Sequence, residues 1–376
     1  MAGVGEVAAV CDRLWPRTWA EQWDNVGFLV GSRSGAVRQC LCALDADSQT
    51  IALAASMDAQ MVIAHHPLPF RPLRRVVDDD PAGAAVLSAA RYGIAVYAAH
   101  TNLDVHADGV NAALAAALGL AAGTPLRETG RQVLYKLVTF VPQGSEDAVR
   151  EALANAGAGK LGNYSHCSFT VTGTGTFRPL PGANPFIGEI GALERPTEVR
   201  LEILLPEERR SAVIAALLAA HPYEEVAYDV IRLENAGAAR GLGLVAPLPR
   251  TQRLGAFAQQ VARRLGAPAT RFVGNPERVV RRIAICGGAG ADLVGDALEA
   301  GVDVLVTADV RYHEARAAEA RGLALVDPGH QATEAPAVPA MAEALRGALA
   351  AAHLDVAVSV EPVRQDVWRP IQPRGR

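Results

Sequence analysis

The chain has 376 residues, half of them hydrophobic, and carries 40 acidic against 36 basic side chains for a net charge of −4. That length predicts two or three domains of ordinary size, and the hydrophobic fraction excludes disorder over most of the chain. Charges of both signs are interspersed with no basic run, which argues against nucleic acid as the main partner.

The five cysteines, Cys11, Cys40, Cys42, Cys167 and Cys286, form no CxxC pair. An odd count without that spacing argues against a disulfide framework and against a thiolate zinc site. Cys40 and Cys42, two apart in a strand-like run, would share one face and pack there. No uncharged apolar run approaches the ~20 residues a membrane span needs. No basic segment precedes the apolar start either, so the expectation is a soluble cytoplasmic protein.

From the N-terminus, AGVGEVAAVCDRLW predicts a helix, and FLVG and QCLCALD short apolar strands. TIALAASMDA (helix), MVIAHH (strand), AAVLSAARYG (helix) and IAVYAAH (strand) follow. Strands alternating with helices of this length predict βαβ units around a mostly parallel sheet, whose sites gather at the carboxyl ends of strands. The rhythm then changes. VLYKLVTFVP, SEDAVREALANAGA, YSHCSFTVTGTGTF, EVRLEILLP, RRSAVIAALLAA and VAYDVIRL read in the order β-α-β-β-α-β, a ferredoxin-like pattern. NAGAARGLG reads as a linker. The last segment returns to the first rhythm with RRIAICGGAGADLVGDALEAG, DVLVTAD, YHEARAAEARG and LALVDPGH. The fold class is therefore α/β: one discontinuous α/β domain in two segments, residues 1–127 and 237–376, with a ferredoxin-like (βαββαβ) domain, 128–236, inserted between them.

Three strand ends carry chemistry. His65 and His66 precede Pro67, which forces the chain out of the ladder and lets both rings lean into one cavity. Asp104 follows His100 beyond IAVYAA, and is either a ligand or the cap of the next helix. His330 and Glu334, four apart after Asp327-Pro328-Gly329, share a face if a helix begins there. Together these segments offer three imidazoles and two carboxylates, a set suited to zinc, iron, manganese or nickel and lacking the soft sulfur that selects copper(I). A carboxylate bridge with terminal imidazoles is a common way to hold two divalent ions. Thr307, Asp309 and His313 follow another strand and are candidate orienting groups or proton donors. Gly287-Gly288-Ala289-Gly290 joins strand to helix, either as a tight connection or as a phosphate cradle. Trp23, Asp24 and Asn25 read as a fixed loop near the same end.

These segments resemble the Nif-three-like family, dinuclear-metal-centre hexameric proteins labelled GTP cyclohydrolase I type 2 homologues. The motifs that carry the resemblance are WDNVGFLVG, VIAHHPLPF, AAHTNLD, CGGAG, TADVRYHEA and DPGHQATE. The middle segment, with GNYSHCSFTVTGTGTFRPLPGANPFIG and HPYEEVAYDV, resembles the extra module of the longer bacterial members, itself similar to PII-like or CutA-like folds. Ala308 departs from the glycine usual in a TGD-like motif. The resemblance implies two divalent ions per subunit held by His65, His66, Asp104, His330 and Glu334, with Glu334 as the bridge and His100 alongside. It also implies a toroidal homohexamer whose sites face an internal cavity. Two functional classes follow. One is a metal-dependent hydrolase acting on a small, nucleotide-like molecule. The other is a non-enzymatic metal-handling or regulatory assembly, with the inserted domain sensing an effector near His221, Tyr223, Glu224 and Glu225.

Overall fold

A computed structural model describes residues 2–369 apart from Ala122, Ala236 and Gln365. It divides into two compact units, residues 1–129 with 240–376, and residues 130–239.

The first unit holds two large sheets. The five-stranded one has the order Ala357–Val360, Gln39–Ala43, Met61–Ala64, Ala95–Ala98, Gly27–Val30. Its first four strands run parallel and the last is antiparallel. Both faces are covered, which is why these strands read as continuous apolar runs. Met61 and Ile63 pack on one side while Val62 and Ala64 pack on the other. Cys40 and Cys42 face the same side as Cys11, all three buried as ordinary core residues.

The helices between these strands begin on capping carboxylates. The Asp47 side chain accepts from Gln49 N and Thr50 N at the start of Ser48–Ser56. Asp80 caps Pro81–Tyr92, whose first residue is a proline and whose end is a left-handed Gly93.

The second sheet has the order Arg271–Val273, Ala324–Asp327, Val304–Ala308, Val279–Ala289, Ala239–Arg253, Thr124–Arg131. Only Val279–Ala289, Val304–Ala308 and Ala324–Asp327 form a parallel core; Arg271–Val273 and Ala239–Arg253 pair with its flanks antiparallel. Two expectations change here. The α/β domain is built on two sheets, of which the second is mixed, and the supposed linker NAGAARGLG runs into strand from Ala239 onward. A side chain at Gly241 would meet Arg127 O at 1.9 Å, so that glycine serves close backbone approach inside a sheet, not flexibility.

The second unit is a four-stranded antiparallel sheet in the order Tyr228–Arg232, Leu134–Pro142, Thr197–Pro206, Ser168–Thr174, with helices Glu146–Asn155 and Arg210–Ala220. This is the ferredoxin-like βαββαβ arrangement. Thr197–Pro206 alternates as a half-covered strand should: Val199, Leu201, Ile203 and Leu205 are buried. Leu201, Ile203 and Leu205 join Val149, Leu153, Val213 and Leu217 of the helices in one core. Among the described residues, no helix is long and apolar enough to cross a membrane.

Candidate metal centre

The five residues expected as ligands all lie beyond the carboxyl ends of parallel strands. The ladder continues one step past Ala64, since His65 N donates to Ala43 O and His66 N to Leu44 O. Pro67, with no N–H, ends it. Asp104 closes the short helix Thr101–Asp104 that follows Ala95–Ala98. His330 opens and Glu334 closes the short helix His330–Glu334 that follows Ala324–Asp327. Contributions from both sheets therefore meet.

Each of the three expected histidine ligands has Nδ1 committed to an acceptor. His65 Nδ1 donates to Ala99 O at 2.9 Å, His66 Nδ1 to Asp45 Oδ1 at 2.8 Å, and His330 Nδ1 to Asp309 Oδ2 at 2.6 Å. That fixes the tautomer and turns every Nε2 inward as an acceptor. Glu334 spans the cluster. Its Oε1 is 3.7 Å from His65 Nε2, and its Oε2 is 3.0 Å from His66 Nε2 and 3.1 Å from His330 Nε2. Asp104 Oδ1 stands 3.8 Å from His65 Nε2.

Yet His65 Nε2, Asp104 Oδ1 and Glu334 Oε2 are buried and, among the described residues, have no hydrogen-bond partner. Lone pairs that crowd together without aligning on each other point to a shared cation. Burial opposes a charged His66, but the hydrogen bond to Asp45 and the neighbouring Glu334 overcome it and raise the ring to about 10. His330 is likewise resisted by burial and raised to about 9 by Glu334 and Asp309. Burial would raise Glu334, but the three histidines hold it well below its ordinary value. Burial raises Asp104 to about 7, opposed most by His65. Such displaced values gather where charge is arranged for function.

Among the described residues, two ligand groups have atoms within 4.8 Å of one another: His65, His66 and His100, and His66, His330 and Glu334. Sequence reasoning placed His100 as a neighbour; the structure sets its ring 5.1 Å from His65 and 5.6 Å from His66. Asp24 holds it, accepting from His100 Nδ1 at 2.9 Å. Burial alone would raise Asp24, but His100 and Thr101 bring it down to about 2.

Residues 2–366 match the family Duf34/NIF3 (NGG1p interacting factor 3). The chain belongs to the Duf34/NIF3 family. Among its relatives is a GTP cyclohydrolase 1 type 2 homolog of Halalkalibacterium halodurans, 43% identical over 86% of this chain and 87% of that one. A protein of the same name from Mycobacterium leprae is 39% identical over 98% and 95%. Among solved structures, a Bacillus cereus protein related to NIF3 matches with a TM-score of 0.87, 38% identity, and 98% and 99% of the two chains covered.

In this Duf34/NIF3 chain the glycine turn lies against Glu334, and its first two amides have partners within the chain. Gly287 N donates to Asn111 Oδ1 and Gly288 N to Thr333 Oγ1, so both amides are already used. A side chain at Gly288, whose φ is +64°, would meet Glu334 Oε1 at 2.2 Å. The glycine is there to let Glu334 approach.

Thr307 Oγ1 donates to Gly288 O, which holds that turn against its neighbouring strand. Asp309 adopts a left-handed φ of +55° and takes His330 as its partner. His313 lies exposed on the helix Tyr312–Ala320, beside Tyr312, and is in neither ligand group. In the inserted unit, His221 is buried with both ring nitrogens engaged, by Phe140 O and Tyr223 N. Tyr223 donates to Glu198, and Glu224 accepts from Asn184 N. That turn holds itself together, as a connecting loop does.

Sequence reasoning overlooked Asp45. It follows the strand Gln39–Ala43 at the same end at which His65 follows Met61–Ala64, and that position was the available signal.

Proposed function

We propose that this protein is a metal-dependent hydrolase that holds two divalent ions per subunit, drawn from zinc, iron, manganese or nickel, and acts on a nucleotide-like substrate. The observation that carries this reading is the set of three buried, unpartnered atoms, His65 Nε2, Asp104 Oδ1 and Glu334 Oε2, contributed by three separate strand ends. Imidazole and carboxylate donors suit these borderline ions. A carboxylate whose two oxygens face different histidines is the shape a bridge requires, which supports two ions over one. When bound, such ions supply Lewis acidity toward a polar bond.

The chain's own residues supply the rest. Asp45, Asp309 and the Ala99 carbonyl fix the ring orientations of His66, His330 and His65. Ionised Asp24 keeps the His100 proton on Nδ1, so that Nε2 is the atom able to accept a proton during hydrolysis. The name carried by the relatives makes GTP the first compound to screen. The toroidal homohexamer belongs to the same proposal, and light scattering should return six times the chain mass.

The test is turnover by metal-loaded protein against a nucleotide panel. Hydrolysis that disappears on chelation and falls ~10²–10⁴-fold in His100→Gln, with metal content unchanged, supports the assignment. Full metal occupancy with no turnover of any nucleotide would favour the metal-handling reading.

A further inference from the structure

Two large aromatic side chains stand in water beside the metal centre. Trp23 is 63% exposed and Phe70 49%. Their ring centroids are 6.2 Å apart with the planes inclined at 54°, so a planar ring stacked on one meets the other obliquely. Each ring meets His100 nearly edge-on, at 6.1 Å and 79° for Trp23 and at 5.7 Å and 74° for Phe70. His100 in turn stands beside His65 and His66.

The backbone beneath them is pinned. Asp24, next to Trp23, accepts from Thr101 N and Thr101 Oγ1 as well as from His100. Glu21 N donates to Thr101 Oγ1, and Asn25 Nδ2 donates to Pro69 O at 2.8 Å, tying the tryptophan loop to the phenylalanine loop. An exposed aromatic pair on a fixed support, next to a polar centre, is how proteins stack a planar ring without sequestering it. Past Phe70 the same loop continues into Arg71, Arg74 and Arg75, three exposed cations suited to an anionic ligand.

We propose that Trp23 and Phe70 form a ring-binding wall, on which the planar base of an anionic nucleotide stacks while its polar part faces the metal centre. This rests on the hydrolase reading for the centre itself, but makes a separate claim about what the site selects.

The experiment titrates the full, metal-loaded chain with guanosine monophosphate and with ribose 5-phosphate, which has the same sugar and phosphate but no ring. The nucleotide should bind about tenfold or more tightly. Trp23→Ala and Phe70→Ala should each lower nucleotide affinity about tenfold. Ribose 5-phosphate affinity, metal content and solution mass should not change, and Trp23→Tyr should recover most of the loss. Equal binding of the two probes, no binding of either, equal weakening of both in the variants, or a change in assembly mass would overturn the wall. Repeating the titration after chelation separates the two proposals. A ring preference that survives metal removal upholds the wall even where no hydrolysis is found, while hydrolysis without ring preference leaves the hydrolase and removes the wall.

Discussion

Asp309 is a single residue in a backbone conformation that side chains other than glycine, asparagine and aspartate avoid, and it spends that strain on His330. Asparagine tolerates the same conformation, so Asp309→Asn should fold normally while losing the charge that orients the ring. Chelator competition should then show metal affinity lowered ~10–100-fold, whereas an unchanged affinity would mean the ring needs no such partner. Gly288 is the converse case, a residue needed for what it lacks. Gly288→Ala puts a methyl into Glu334 at a left-handed position. It should cost ~1–3 kcal/mol by thermal unfolding and reduce metal occupancy. Of the residues expected from sequence as ligands, His65, His66, His330 and Glu334 fall in the two ligand groups and Asp104 in neither, standing 3.8 Å from His65; they come close because each follows an apolar run at a strand end, a pattern visible in the chain itself. Their supports were harder to see. Asp24, Asp45 and Asp309 reach His100, His66 and His330 across 76, 21 and 21 positions of sequence, and only a folded chain shows which carboxylate faces which ring.

At the scale of elements, the apolar strands Met61–Ala64 and Ala95–Ala98 were legible because burial on both faces leaves an unbroken hydrophobic run. The strands Thr124–Arg131 and Ala239–Arg253 escaped notice, since one is polar and the other starts in glycines that resemble a linker. Those glycines answer to a neighbouring strand that local pattern does not reveal. The inserted unit was legible for the opposite reason, as its strands alternate cleanly. It also carries a pH response. Burial holds the His221 pKa below 6.5, despite the Phe140 carbonyl that favours its proton. The unfolded chain therefore takes up a proton first, so stability is full above about 6.5 and is lost as pH falls below it. Protonation would also set a new donor on Nδ1 against the Tyr223 N–H. Amide exchange in Leu134–Pro142, corrected for intrinsic rates, should quicken between pH 7.5 and 5, and His221→Gln should flatten that difference.

For the whole molecule, one unit built from both ends of the chain carries the site, and the inserted unit has a core of its own. The site exists because the first unit turns the carboxyl ends of two sheets toward each other, so that residues 65–66, 104 and 330–334 meet. The most direct test of the metal-centre claim is the metal-to-chain ratio of protein purified without added metal, measured by elemental mass spectrometry beside a Glu334→Gln variant. The account predicts a ratio near two of zinc, iron, manganese or nickel, falling to one or less in the variant as the bridge loses its charge. A ratio near zero that stays there after those metals are supplied would contradict it.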